Sequence, residues 1–288
     1  MEINVRNRKI WWIASYPKSG NTWVRMFINA YLTGFPLDIN SGFQYVLGDN
    51  NSNVFQICSP RPYMDLTEVE QVFLRPAVLI HFLTLSTAQH VCLKTHHARV
   101  NVDDIPLIPA SMSAGGVYII RDPRDIVISF ADHMAESIDD TIKFMNTKEY
   151  VLKHNKTNLI HVLTTWSLHV QTWTDKNNKI PITIVKYEDM LANPEGAFRV
   201  ILKALGFDTI DEDKFEFAIK ETRFSNLQAI EAKTGFREKG QGQKFFRKGE
   251  AGQWKGVLTA NQIRQIEEDH KEVMRKFGYN PVKISRVA

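Results

Sequence analysis

Four groups of residues combine side-chain types and spacings that suit chemistry on an anion. The first is Ser15-Tyr16-Pro17-Lys18-Ser19-Gly20-Asn21-Thr22-Trp23, between a short apolar, β-leaning run and an apolar run at helical spacing. Where a parallel strand turns into a helix, backbone N–H groups and the helix N-terminus face solvent beyond the strand's carboxyl end, which makes an anion site. Lys18 adds a full charge, and Ser19 and Thr22 add hydroxyl donors. The Gly-Lys-Ser/Thr order and the spaced leading glycine of a Walker A loop are absent, which disfavours an ordinary triphosphate kinase. The same residues also suit a plain strand-to-helix turn with a solvated lysine.

The second group is Arg121, at the end of an apolar run, with Ser129 two turns into the helix that follows. A guanidinium pairs with two phosphate oxygens at once, so this pair suits a phosphate monoester. It equally suits an ion pair to Asp122 or Asp125 and a serine bonded to its own helix. The third group is Arg247-Lys248-Gly249, either an anion clamp or a solvated run of charge. The fourth is Lys94-Thr95-His96-His97. Strand period two puts Lys94 and His96 on one face at the carboxyl edge and His97 on the other. A histidine there can act as a general base at neutral pH. His97, and His96 too, also fit a satisfied non-catalytic histidine. No cluster at metal-ligand spacing is present along the chain, so no metal is expected.

The elements that must hold these groups follow from hydrophobic periodicity. Ile10 to Tyr16, Val91 to His96, Gly116 to Arg121 and Ile180 to Tyr187 are strand candidates. Trp23 to Leu32 reads as a buried helix closed by Gly34. Asp122-Pro123 and Asn193-Pro194 each pair an N-cap with a proline at the first helical position. Thr259 and Gln262 form a capping box ahead of Ile263, Ile266, Val273 and Phe277, a helix ending at Gly278. Phe35 to Pro76 reads as loops and short helices. Thr234 to Gly256 reads as a long mobile loop of functional use, rich in glycine and carrying Arg237, Lys239, Lys244, Arg247, Lys248 and Lys255. Strands alternating with helices imply an α/β fold, a three-layer αβα arrangement around a mostly parallel sheet, formed by residues 1–288 as one domain.

Composition narrows the function classes. The chain has 288 residues, 43% hydrophobic and 24% charged, enough for one globular core. A net charge of +4 is too small for a general nucleic-acid coat, so any anion site must be local and no nucleic-acid partner is expected. Cys58 and Cys92 are too few for a disulfide framework and fit a reducing compartment. No run reaches the length of a signal-peptide core or a membrane span, so a cytoplasmic protein without membrane contact is expected.

Taken together the motifs resemble a family. Tyr16-Pro17-Lys18-Ser19-Gly20-Asn21-Thr22-Trp23, Lys94-Thr95-His96, Arg121-Asp122-Pro123-Arg124-Asp125-Ile126-Val127-Ile128-Ser129, Tyr187-Glu188-Asp189-Met190, and Arg247-Lys248-Gly249 with Gly252-Gln253-Trp254-Lys255 are similar, in order and spacing, to the cytosolic-type sulfotransferases. Those enzymes use 3′-phosphoadenosine 5′-phosphosulfate (PAPS) and release 3′-phosphoadenosine 5′-phosphate (PAP). The opening, Trp12 to Lys18 with Asn21, resembles small bacterial sulfotransferases, including those modifying natural products. The resemblance implies a P-loop-like phosphosulfate site on Lys18, Ser19, Gly20, Asn21, Thr22 and Trp23. It implies a 3′-phosphate site on Arg121, Ser129, Arg247, Lys248 and Gly249. Trp23 and Phe224 would flank the adenine, and Tyr187 and Thr222 would contact it. His96 would take the acceptor's proton, Lys18 would neutralise the leaving bridging oxygen, and Lys94 would support the sulfonate, with Ser129 also in the catalytic set. The implied reaction is in-line sulfuryl transfer, without a metal, to a hydroxyl or less readily an amine of a small molecule.

The chain also departs from the animal enzymes. Asn21 stands for a threonine, Arg223 follows Thr222 where a small residue is common, and His97 follows His96 where many relatives have an apolar residue. The dimer-forming motif of the animal enzymes has no clear counterpart between Lys255 and Glu268, which leaves the oligomeric state open. For the acceptor, Phe43, Tyr45, Phe55, Tyr63 and Phe82 suit either an aromatic pocket or core. Asp132, Glu136, Asp139 and Asp140 suit either a cationic acceptor or a solvated acidic face. A non-catalytic protein that binds PAP and, more distantly, a small-molecule kinase are the competing functions.

Overall fold

A computed structural model of the chain describes residues 8–40, 45–85, 91–152, 159–177, 179–239 and 244–282. Its centre is a five-stranded parallel sheet of β1 (Ile10–Ser15), β2 (Val46–Gly48), β3 (Val91–Thr95), β6 (Ser113–Ile120) and β9 (Ile182–Lys186), in the order β2-β3-β1-β6-β9. Two small antiparallel pairs, β4 (Asn101–Val102) with β5 (Ile105–Pro106) and β7 (Val151–Leu152) with β8 (His161–Val162), lie outside it.

Alternation along the central strands covers both sheet faces, as a parallel sheet requires. Trp12 and Ala14 of β1 and Tyr118 and Ile120 of β6 pack into one core with Trp166 and Trp173. Ile13, Val117 and Ile119 pack into a second core with Phe27 and Phe198 on the opposite face. The helix α1 (Asn21–Thr33) closes on Gly34, which takes the left-handed conformation and returns its N–H to Ala30. Both proline-led starts and the capping box form as the sequence predicts.

Three readings need correction. The stretch to Pro76 contains β2, the helix α2 (Ser52–Cys58) and the 18-residue helix α3 (Glu68–Leu85), which runs through Pro76. Its apolar residues hid the period, because α3 is apolar around most of its circumference. The last helix is two, Ala260–Asp269 and Lys271–Lys276, broken at His270. The glycine-rich stretch after Thr234, apart from 240–243 outside the described residues, is packed. Phe236 and Phe246 join Met26 and Leu227 in a third small core.

The sheet order places the site. The chain leaves β1 toward β2 and β3, then crosses back to β6 on the other side of β1. That reversal opens a crevice at the carboxyl ends of the strands, where open α/β sheets bind ligands.

Candidate active site

The loop after β1 contains Lys18, a non-glycine residue at φ 65°, and Gly20 at φ 102°. A Cβ on Gly20 would come within 2.7 Å of the Tyr187 ring, so only glycine lets the loop lie against that tyrosine. Asn21 ties the loop to the strand: its amide nitrogen donates to the Ile13 carbonyl at 2.9 Å and approaches Ser15 Oγ at 3.3 Å. The N–H groups of Asn21 and Thr22 precede the first helical acceptor, whereas Trp23 N–H donates to the Gly20 carbonyl at 3.0 Å.

Around this loop lies a cavity of about 950 Å³. Lys18, Gly20, Asn21, Thr22 and Trp23 line it from β1–α1, and Lys94 and His96 from β3. Arg121 and Ser129 line it from β6 and the helix α4 (Pro123–Met134). Tyr187, Thr222, Phe224, Arg247, Lys248 and Gly249 complete the wall. Residues from distant parts of the chain thus meet in one place. Ser19 does not line the cavity: it is fully buried and its hydroxyl has no partner.

The remaining residues of the Arg121 motif explain how the basic stretch reaches this wall. Asp122 caps α4 and pairs with Arg124, which also pairs with Glu267 at 2.6 Å and lies over the Trp254 ring. Asp125 accepts the N–H groups of Gly252 at 2.6 Å and Trp254 at 3.1 Å. Glu231 accepts those of Phe245 and Phe246. Held at both ends, Arg247-Lys248-Gly249 arches over Phe224, and a Cβ on Gly249 would fall 2.5 Å from that ring. Arg121 donates to the Lys18 carbonyl at 3.0 Å and stacks over Tyr187, while its buried Nε has no partner. Thr222 donates its hydroxyl proton to the Ala218 carbonyl at 2.7 Å, so only its lone pairs remain for a ligand.

Electrostatics at the other end of the cavity suit proton removal beside fixed cations. His96 Nδ1 lies 2.8 Å from the Ser15 carbonyl, so Nδ1 carries the proton and Nε2 keeps its lone pair. Burial, with the Lys94 charge, holds its pKa well below the usual histidine value. Burial, then Arg247 and Arg121, lowers Lys18 to about 8; burial, then Arg25, lowers Lys94 to about 8.

His97 faces away. Its Nδ1 accepts the Val162 N–H at 3.1 Å and its carbonyl accepts from Trp173, so it is a structural histidine. The aromatic acceptor pocket is not formed. Phe55 and Phe82 are core, Tyr63 packs beside the core, Tyr45 is exposed, and Phe43 lies outside the described residues. Leu47, Asn50, Phe130, Met134, Leu159 and His161 line that part of the cavity instead. Of the acidic group, Asp132 faces Arg247 at 3.5 Å, Asp139 accepts from Gln262 and Asp140 pairs with Lys143, so it is a surface network.

Several cavity residues carry no local motif. Arg25 follows Asn21 by one helical turn, a spacing that would have found it. It donates to Glu238 at 2.7 Å, and Thr22 donates to the same carboxylate at 3.3 Å. Asp49, His97 and His161 bring ligand-type atoms within 4.8 Å of one another, a cluster invisible to local spacing. It suits a metal poorly. His97 Nδ1 is already an acceptor, which leaves the ring proton on Nε2, and Arg75 and Lys94 add positive charge around it.

Sulfotransferase 1B1 of Mus musculus is 23% identical over 274 residues, covering 91% of this chain and 81% of that protein. Cytosolic sulfotransferase 13 of Arabidopsis thaliana is 26% identical over 276 residues, covering 90% and 75%. Among solved structures, retinol dehydratase in complex with androsterone and inactive cofactor PAP matches with a TM-score of 0.62 at 18% identity, covering 99% of this chain and 85% of that one. Mouse sulfotransferase SULT7A1 complexed with PAP matches with a TM-score of 0.59 at 20% identity, covering 93% and 85%. No helix among the described residues is long and apolar enough to cross a membrane. The sulfotransferase domain model matches residues 8–278, and the chain belongs to that family of enzymes.

Proposed function

We propose that the protein transfers the sulfuryl group of PAPS to a hydroxyl of a small-molecule acceptor, with PAP as product and His96 as general base. The observation that carries the reading is the convergence of a proton-accepting His96 Nε2, two half-buried lysines and Arg121 on one cavity beside a strand-to-helix anion loop. The residues fit the donor. Buried Arg121 Nε and Trp23 Nε1 lack partners, and the cavity is at the upper end of small-ligand sites.

When bound, PAPS supplies an electrophilic sulfur on a phosphate leaving group. Lys18, Gly20, Asn21, Thr22 and Trp23 hold the 5′ side, with Ser19 buried behind them; Arg121, Ser129, Arg247, Lys248 and Gly249 hold the 3′-phosphate. Trp23 and Phe224 flank the base, with Tyr187 and Thr222 at its edge. His96 takes the acceptor proton on Nε2. Lys18 meets the charge growing on the bridging oxygen, and Lys94 holds the sulfonate; such fixed charges usually supply the largest catalytic term. The residues facing these groups supply acid–base and electrostatic catalysis, so no metal is assigned a role.

The acceptor end mixes apolar Leu47, Phe130 and Leu159 with Asn50, whose buried Oδ1 has no partner. This favours an acceptor carrying a second hydrogen-bond donor, such as a hydroxylated natural product. We read residues 1–288 as a single domain. Relatives named cytosolic support the same compartment here.

Calorimetric titration with PAP beside 5′-AMP and ATP tests the donor. Tight binding that needs the 3′-phosphate supports the reading; a preference for ATP refutes it.

A further inference from the structure

We propose that His161 and Asp49 form a buried support that positions Lys94: the lysine ammonium donates to His161 Nε2, and the opposite ring N–H is directed at the Asp49 carboxylate. The proposal rests on the reading of Lys94 as the sulfonate-holding cation, and it assigns His161 and Asp49 as positioning residues.

Lys94 Nζ lies 3.5 Å from His161 Nε2. An ammonium can only donate, so Nε2 must keep its lone pair. Burial and the Lys94 charge keep the imidazole neutral, which leaves its one proton on Nδ1. That atom is buried without a hydrogen-bond partner, and so is Asp49 Oδ1. The ring and the carboxylate bring ligand-type atoms within 4.8 Å of each other. A donor and an acceptor so placed satisfy one another through a small rotation or one bridging water. The Nδ1–H tautomer set by the Lys94 contact also supplies the donor that the orphaned Asp49 oxygen lacks.

Each member is fixed independently. The Asp49 N–H donates to the Lys94 carbonyl at 2.9 Å, so the carboxylate is tied to the lysine's own strand. Its Oδ2 receives Arg75 at 2.5 Å, and Arg75, only 2% exposed, donates its Nε to the Leu107 carbonyl at 2.6 Å. His161 opens β8 and packs its ring edge-on to His96 at 5.3 Å and to His97 at 4.9 Å. A buried polar row therefore runs from Arg75 on α3 through Asp49 and His161 to Lys94 at the reaction centre.

The row has a catalytic use. A lysine stem loses substantial rotamer entropy when its ammonium is fixed, and incurring that loss before substrate arrives is preorganisation. A carboxylate behind an imidazole also orients the ring and strengthens the far nitrogen as an acceptor. Lys94 is faced by Arg25 from α1, by Glu238, by Asp49 after β2, by His96 and His97 beyond its own strand, by His133 from α4 and by His161 from β8. Of these, His161 is the neutral acceptor within hydrogen-bond distance of its Nζ.

The first test is imidazole nitrogen NMR of the wild-type protein labelled on histidine, with the His161 signals assigned by their loss in His161→Gln. An Nδ1–H tautomer for His161 is expected; an Nε2–H tautomer, or stoichiometric zinc on that nitrogen, overturns the proposal. The second test measures hydrolysis of radiolabelled PAPS to PAP and sulfate, which needs no acceptor. His161→Gln, which retains an acceptor near the Nε2 position, should stay within about threefold of wild type. His161→Phe should lose about tenfold or more in kcat, with its alkaline limb moved to lower pH and PAP affinity held within about twofold. Equal effects of the two substitutions, or an unmoved pH profile in His161→Phe, overturn the positioning role. If His161→Phe fails to fold, the wild-type tautomer decides; if His161→Gln fails, the wild-type His161 signals are assigned by through-bond correlation to its backbone and the tautomer still decides. Absence of PAP binding by the wild type would instead overturn the proposed function, and the tautomer would still test the His161–Asp49 pair separately.

Discussion

His96 Nδ1 and the carbonyl oxygen of Ser15 lie 2.8 Å apart, so the last residue of the strand that starts the anion loop also sets the tautomer of the proposed base. The bond fixes the ring and leaves Nε2 to the cavity, while burial and Lys94 keep the ring neutral far below its ordinary pKa. His96→Ala is expected to lose about 10²–10⁴-fold in kcat, the usual worth of a general base, with little change in PAP affinity. The base form prevails above the depressed pKa, so the wild-type rate should stay flat as pH falls through 6.5. A limb centred on the ordinary histidine value would assign the base elsewhere.

Lys18 and Lys94 give the opposite limb. Both are lowered to about 8, first by burial and then by neighbouring guanidinium groups, so in the free protein each loses its charge as pH rises through that value. A bound dianion favours the ammonium forms and moves both upward. Donor kcat/KM should therefore fall above pH 8 while kcat at saturating PAPS persists to higher pH. Lys18→Met should remove most of the rate; full activity in that variant would refute its leaving-group role.

The strand-turn-helix units and the anion loop were legible because their signals are local: a proline after Asp122, a glycine after Thr33, and a hydroxyl three residues before Gln262. What escaped was set by tertiary packing. Helix α3 lost its period because it is apolar almost all round, and Pro76 within it read as a boundary. The aromatics offered for the acceptor met the core instead, as the burial of Phe55 and Phe82 shows. Asp49, His161 and Glu238 entered the site region through contacts between residues far apart in the chain, which no spacing rule encodes. Arg25 is the exception, one helical turn from Asn21 and readable in principle.

Gly249 tests the nucleotide wall. It sits at φ 62° and a Cβ there would press on Phe224, the residue proposed to stack on adenine. Gly249→Ala should weaken PAP and 5′-AMP alike, by about tenfold, with the melting temperature little changed because the strain falls on a loop. Arg121→Met should differ in kind. It should weaken PAP by roughly 10- to 100-fold, the worth of a charge-assisted bond, and leave 5′-AMP nearly untouched.

Buried histidines away from the reacting groups make the fold acid-sensitive. His169, bonded to Tyr118 and the His96 carbonyl, and His270, beside Ser167, are both lowered to about 4, chiefly by burial. Their folded pKa values lie below those of the unfolded chain. As pH falls below 6.5 the unfolded state takes up protons first, so stability drops by about 1.4 kcal/mol per pH unit for each group until the folded value is reached. Urea midpoints should be nearly level above about pH 7 and fall steadily from pH 6.5 to 5, and His270→Gln should flatten that fall. An unchanged slope in the variant would remove His270 from the set.

Glu238 presents the last expectation, because its carboxylate stands on residues assigned to the donor. It accepts from Thr22 at 3.3 Å and pairs with Arg25 at 2.7 Å. Burial raises its pKa, and Arg25 and Lys94 more than reverse that, so it is held ionised. A carboxylate on the Thr22 hydroxyl competes with the 5′-phosphosulfate for the same proton, and its charge repels the incoming anion. The side chain is 39% exposed, so the contact is partly screened and its loss should be felt modestly. Glu238→Gln is expected to tighten PAP binding by about threefold to tenfold and to raise the association rate more than it lowers the dissociation rate, since like charge acts on approach. Weaker binding in Glu238→Gln would show instead that the carboxylate holds Arg25 in a donor-binding posture, which reverses the sign of the interaction at the same atoms.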